Sequence, residues 1–263
     1  MVYVVNRSVS AVVDKLAKAP RVGELDMQFS DGWHETTGRS KGYFDSEWGR
    51  PDSWDDVILQ GPHLYVATPI YQEPNQTMRS NRDWSATDFE QLAPDAIPVT
   101  AYKPRGDRAR YNRDYTHWEV DGIRTSARDH YRIAWRTMAA NTNERTLIAA
   151  VIPSGCAHVD NIFSLGVPGG SSSSCAVLGG FFSSLLIDFM VRVAPKAHIR
   201  AKAIERLPVN ASHALARNIV LRYLRLTCIV DEYAKFWAEC FLSDFANDDW
   251  TGGLNHARRR PLG

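Results

Sequence analysis

The sequence lacks the short motifs that most enzyme classes need. None of its 17 glycines forms a G-x-G turn, which excludes a Rossmann-type cofactor fingerprint. It has no Pro-Pro dipeptide, whereas the catalytic loop of amino-methyltransferases normally has two adjacent prolines before an aromatic residue. A P-loop and a G-x-S-x-G nucleophile elbow are also missing. No lysine follows an acidic residue by two positions, as the commonest type of restriction nuclease requires. These absences predict a chain that is not catalytic alone and holds no cofactor.

Cysteine spacing and apolar runs exclude two further classes. The four cysteines have no C-x-x-C spacing, so we expect buried thiols and no metal site. The longest apolar stretches, residues 146–153 and 175–187, fall short of the ~20 residues that a membrane helix requires. Arg7 and Asp14 interrupt any apolar signal-peptide core. We therefore expect a cytoplasmic protein that contacts no membrane.

The net charge is only +1, but the charges are unevenly placed along the chain. Residues 1–100 carry 9 basic and 15 acidic side chains, and residues 101–150 carry 10 and 6. Residues 190–230 carry 8 basic side chains and 1 acidic one. Such a layout builds a positive face for phosphates on a neutral protein, or it forms an ordinary solvated surface.

Short β-rich runs between residues 57 and 165, followed by helical periods, predict a mixed α+β fold with a small sheet. Apolar positions from Leu215 to Cys240 recur every three or four residues, which predicts a long amphipathic helix at the end. We divide the chain into an irregular N-terminal segment (1–54), a recognition domain (55–208) and a C-terminal helical segment (209–263).

Residues 131–136, YRIAWR, fit two patterns. Arginines at 124, 128, 132 and 136 lie four apart, as on a helix, but strict alternation favours a strand. In that strand Tyr131, Ile133 and Trp135 face the core, and Arg132 and Arg136 share an open face. A turn at 141–144 and a β-rich run at 145–152 predict a neighbouring strand.

The stretch 131–165, YRIAWRTMAANTNERTLIAAVIPSGCAHVDNIFSL, resembles the target-recognition region of type IIG restriction-modification methyltransferases and of their BREX and DISARM relatives. Weaker matches lie at 58–61, 67–69, 179–192 and 204–209. The resemblance implies an adenine DNA methyltransferase that uses S-adenosylmethionine, with a catalytic domain N-terminal to the matched region. Because that domain is missing here, a gene fragment, a split enzyme and a specificity subunit all fit the pattern.

The resemblance implies that the chain recognises double-stranded DNA for a methyltransferase catalytic domain or subunit. Side chains that can read base edges cluster near the turn, and they are Arg132, Arg136, Asn141, Asn143 and Arg145. Basic residues of a predicted loop at 103–113 are candidates for gripping phosphates, and they include Lys103, Arg105, Arg108 and Arg110. Alternatively, Asn141 and Asn143 only stabilise the turn, and residues 103–113 form an ordinary solvated loop. A protein-interaction scaffold of a defence complex is the rival function.

Overall fold

The computed structural model describes residues 6–80, 82–138, 142–169, 171–193 and 197–248. They form a mixed α+β fold with short strands in small sheets, which confirms the predicted fold class. The strands are β1 (Gln28–Ser30), β2 (Phe44–Gly49), β3 (Ile58–Leu59), β4 (Gln72–Pro74), β5 (Trp84–Ala86), β6 (Thr100–Pro104), β7 (His117–Val120), β8 (Ile123–Ser126), β9 (Arg132–Arg136), β10 (Ala149–Ile152), β11 (Ala157–His158) and β12 (Ile162–Gly166). The α-helices are α1 (Arg7–Ala17), α2 (Glu35–Ser40), α3 (Arg108–Asp114), α4 (Ser172–Phe182), α5 (Leu185–Arg192), α6 (Ala201–Ile204), α7 (Ala216–Thr227) and α8 (Ala234–Cys240).

A four-stranded antiparallel sheet, in the order β1-β12-β9-β10, holds the main core. The predicted neighbouring strands are confirmed, because β9 pairs with β10 along its length. Ile133 and Trp135 on β9 are fully buried, and Tyr131 just before it is half-buried. Helix α4 packs against β9 and β10. The alternating pattern therefore identified a real strand and its core side.

Helix α4 also packs against α7, and two glycines permit the close approach. A Cβ atom at Gly179 would lie 2.4 Å from the ring of Tyr223, so a larger residue there would displace the tyrosine. The Tyr223 hydroxyl accepts a hydrogen bond from the backbone N–H of Val151 at 2.8 Å. The Tyr233 hydroxyl donates to the carbonyl of the same residue at 2.9 Å. Two tyrosine hydroxyls thus satisfy the backbone N–H and carbonyl of Val151 on the outer edge of β10.

The described part of the segment 1–54 is tied into later parts of the chain. Its strand β1 pairs with β12, and β2 pairs with β6. Its aromatic side chains enter a second core, called here the aromatic cluster, which consists of Trp33, Tyr43, Phe44, Tyr102, Tyr111, Tyr115 and Trp118 with four smaller apolar residues. The expectation of an irregular N-terminal segment is therefore wrong for residues 6–54.

The long final helix predicted from the apolar period is two helices, α7 and α8. Between them Val230 is extended, and a 3₁₀ turn follows at Asp231–Tyr233. The N–H of Asp231 donates to the carbonyl of Pro94 at 2.7 Å, a bond that a continuous helix would not allow. A tertiary contact therefore divides a segment whose apolar period suggests one helix.

The apolar segment 181–193 is also divided between two helices. Helix α4 ends at Phe182, and Ser184 caps the start of α5 by accepting a hydrogen bond from the N–H of Ile187 at 3.3 Å. Within the described ranges, no single helix is long and apolar enough to cross a membrane. Helices α4 and α5 meet that length and composition only as a pair, across a bend of 62°.

Candidate nucleic-acid interface

Arg132, predicted to lie on an open face of β9, is fully buried. Its guanidinium donates to the hydroxyl of Tyr115 at 3.3 Å, and a second nitrogen donates to the carbonyl of Cys156 at hydrogen-bond distance. The expected open face is therefore wrong. The physical reason is that the aromatic cluster contributes Tyr115 to the side of β9 on which Arg132 lies.

Arg136 and Arg145 are also held inside the protein. The Nε atom of Arg136 donates to the carbonyls of Gly61 at 2.8 Å and Leu64 at 3.0 Å, and burial lowers the pKa of its guanidinium. Arg145 donates to the carbonyl of Ser183 at 2.8 Å, at the end of α4. Each arginine donates hydrogen bonds to backbone carbonyls of a neighbouring segment. In this structure they serve the fold and do not present their charged groups to DNA.

Of the two asparagines predicted to contact DNA, Asn143 is among the described residues. Asn143 is exposed, and its carbonyl accepts a hydrogen bond from Arg192 at 2.7 Å. Asn141 lies outside the described residues. The predicted cluster of base-reading side chains at 132–145 is therefore not assembled on one surface, because three of its members are turned inward.

The predicted basic loop at 103–113 is the end of β6, a turn and helix α3. Asp107 caps this helix by accepting a hydrogen bond from the N–H of Ala109 at 2.8 Å. The cations of this segment all have acidic partners, and the ion pairs are Lys103 with Glu47 (3.0 Å), Arg105 with Asp45, Arg108 with Asp56 (2.8 Å), Arg110 with Asp114 (3.6 Å) and Arg113 with Asp114 (3.1 Å). The expectation of a loop is wrong, and its charges are largely balanced. Such exposed pairs are worth about 0 to 1 kcal/mol, so a phosphate can still compete for the cations.

An open cleft of about 770 Å³ lies between α3 and the β7–β8 hairpin. We call it the arginine cleft. Its charged lining residues are four arginines and two aspartates, Arg108, Arg113, Arg124, Arg128, Asp55 and Asp129. Further polar side chains line it, namely Asn112, His117, Thr125, Ser126 and Ser154. In protein–DNA complexes, phosphate oxygens accept hydrogen bonds from cationic and hydroxyl groups, and this concave surface contains both kinds of group.

Arg128 lines this cleft and has only 5% of its surface exposed. Its Nε donates to the carbonyl of Gly155 at 2.6 Å, and Nη1 donates to the side-chain oxygen of Asn112 at 2.6 Å. Nη2 donates to the backbone carbonyl of Asp55. All three acceptors are neutral, and among the described residues no carboxylate lies within salt-bridge distance of Arg128. A buried cation without an ion-pair partner contributes positive potential to the cleft, which Asp55 and Asp129 also line.

The second wall of the cleft is the β7–β8 hairpin. Asp121 and Gly122 form its two-residue turn, and both have positive φ values of 50° and 74°. Asp-Gly is the sequence that such a turn prefers, so this dipeptide could have revealed the hairpin from the sequence. Arg124 is exposed on β8, and it has no ion pair in the described part of the chain, although Glu119 lies opposite it. Arg124 and Arg128 are the cleft arginines that lie outside the predicted basic segment 103–113, and the sequence did not identify them as candidate DNA contacts.

A buried histidine–serine contact elsewhere is not a catalytic site. Nε2 of His158 lies 2.8 Å from Oγ of Ser164, and both residues are fully buried. Burial and the charge of Arg132 lower the pKa of His158 to about 3, so the ring is neutral at pH 7. No substrate reaches the pair, and nucleophilic catalysis needs an accessible serine. Within the described ranges, no three His, Cys, Asp or Glu side chains are grouped to hold a metal ion.

Comparisons with known proteins add no assignment to this geometry. No family model matches the sequence, and no curated protein shows significant similarity to it.

Proposed function

We propose that this chain binds double-stranded DNA in the arginine cleft. The observation that carries the proposal is Arg128, a buried guanidinium that faces an open cleft and has only neutral partners. Its field attracts anions, and the exposed Arg124 beside it is available for a direct phosphate contact. The hydroxyls of Thr125, Ser126 and Ser154 supply neutral donors of the kind found at DNA backbones.

We further propose that this DNA-binding chain is the target-recognition part of an adenine DNA methyltransferase. The support is the resemblance of residues 131–165 to that family. On this proposal S-adenosylmethionine belongs to a catalytic domain or subunit outside this chain, and the bound duplex presents its adenine to that partner. The buried arginines of the matched segment then maintain the fold of the recognition region, while the arginine cleft contacts DNA.

The salt dependence of duplex binding tests the cleft directly. We expect the affinity of the wild-type chain for a mixed-sequence duplex to fall steeply as salt rises. Arg124→Ala should reduce the slope of log K against log salt by about 0.9, because one phosphate contact is lost. Arg82→Ala is the matched control, since Arg82 is exposed and does not line the cleft. Equal slopes for the two variants would contradict the proposal.

A protein-interaction scaffold is the second candidate function, and exposed apolar side chains favour it. Leu215 immediately precedes α7 and is 58% exposed, and Leu226, near the end of α7, is 55% exposed. Phe241 and Leu242, after α8, are 43% and 47% exposed. Apolar surfaces of this kind mark protein contacts. Because such contacts depend little on salt, a salt-insensitive association without DNA affinity would favour the scaffold.

A further inference from the structure

The β7–β8 hairpin has a firm base and a free tip. At the base Trp118 is buried, and its indole N–H donates to the carbonyl of Phe29 at 3.0 Å. The side-chain amide of Gln28 accepts from the N–H of Glu119 at 3.0 Å and donates to the carbonyl of the same residue. These contacts join the hairpin to β1, so its direction is set by the four-stranded sheet.

The tip carries an aliphatic side chain that the fold does not use. Ile123 follows the Asp121-Gly122 turn and is 69% exposed, although it lines the arginine cleft. A single exposed isoleucine is ordinary on a protein surface. This one is different because its neighbour Arg124 is an exposed cation, and because both residues line the arginine cleft.

We propose that the hairpin enters the major groove of bound DNA and that Ile123 contacts the bases, while Arg124 contacts the backbone. This inference rests on the proposed DNA binding. The major groove admits a two-stranded β-ribbon, and apolar side chains there contact the methyl group of thymine. A residue at the tip reaches the base edges, and a cation on the flank lies near the phosphates that border the groove. The hairpin thereby supplies the sequence contact that the inward-facing Arg132 and Arg136 do not make.

The test compares sequence discrimination with general affinity. Wild-type full-length chain is used to select duplexes from a pool with a randomised centre, and affinities for the selected and a scrambled duplex are then measured. We expect Ile123→Ser to lower the ratio of the two affinities by about tenfold, which corresponds to about 1.4 kcal/mol. Its melting temperature should match that of the wild type, because Ile123 is exposed.

Two controls identify the contact. Ile123→Val should retain most of the discrimination, and Leu185→Ser should retain all of it, because Leu185 is 74% exposed and does not line the cleft. Replacing each thymine of the selected duplex by deoxyuridine removes one methyl group at a time. At the contacted position the replacement should weaken binding by the wild type but not by Ile123→Ser.

The outcomes separate this inference from the proposed function. If the wild type binds duplexes with a steep salt dependence but Ile123→Ser discriminates equally well, the hairpin contact is overturned and the cleft stands. Failure of the selection to enrich any sequence overturns the base contact in the same way. If the wild type shows no salt-dependent affinity for any duplex, both proposals are overturned.

Discussion

At the scale of single residues, burial decides what an arginine does in this protein. Arg128, Arg132 and Arg136 lie four apart in sequence, and each binds neutral acceptors within the fold. Arg124, the preceding member of the same series, is exposed. Alternation in the sequence separates the two sides of a strand, but it does not reveal whether both sides are covered. The sequence could therefore predict that Arg132 lies on a strand, but it could not predict that its side chain is buried.

Arg132→Ala should therefore destabilise the fold and not act on DNA directly. The substitution leaves a cavity and removes the donors to the Tyr115 hydroxyl and the Cys156 carbonyl, so we expect a loss of about 3 kcal/mol. Arg124→Ala, at an exposed site, should change the free energy of unfolding by less than about 0.5 kcal/mol. Urea denaturation of both variants measures the difference. If Arg132→Ala is as stable as the wild type but has lost affinity for DNA, Arg132 contacts DNA directly and this prediction is wrong.

Two buried histidines predict how stability depends on pH. Burial lowers the pKa of His63 to about 4, and burial with the charge of Arg132 lowers that of His158 to about 3. The unfolded chain binds these protons near pH 6.5, whereas the folded chain does not. Stability is therefore full above about pH 6.5 and falls as the pH drops from there towards 4.

Each histidine contributes a slope of up to about 1.4 kcal/mol per pH unit in that window. Urea denaturation between pH 7 and pH 5 measures this slope. His158→Gln should reduce the slope by the contribution of one histidine. A stability that stays constant over this range in the wild type would show that the folded protein accommodates the charged rings.

At the scale of elements, the sequence predicts those whose pattern is local. Strand β9 follows from alternation, and β10 follows from a turn and a β-rich run. The break between α7 and α8 depends on the carbonyl of Pro94, which no local pattern reports. The β7–β8 hairpin differs from both, since its Asp121-Gly122 turn is a local signal that apolar periodicity does not report.

At the scale of the whole molecule, folding brings the acidic first third onto the basic middle of the sequence. Strands β2 and β6 pair, and they place Asp45 and Glu47 against Arg105 and Lys103. The two charge blocks therefore cancel along this part of the surface, which composition alone does not reveal. In the arginine cleft, Arg124 and Arg128 have no ion-pair partner within the described part of the chain. The candidate interface follows from the tertiary arrangement and not from the charge blocks.

Hydrogen–deuterium exchange of the full chain, with and without a duplex at saturating concentration, tests the central claim most directly. We expect slower exchange in peptides that cover α3 and the β7–β8 hairpin, residues 108–128, because bound DNA shields the arginine cleft. Peptides from α7 and α8 should exchange at the same rate in both states. Protection confined to α7 and α8, or no protection at residues 108–128, would contradict the account.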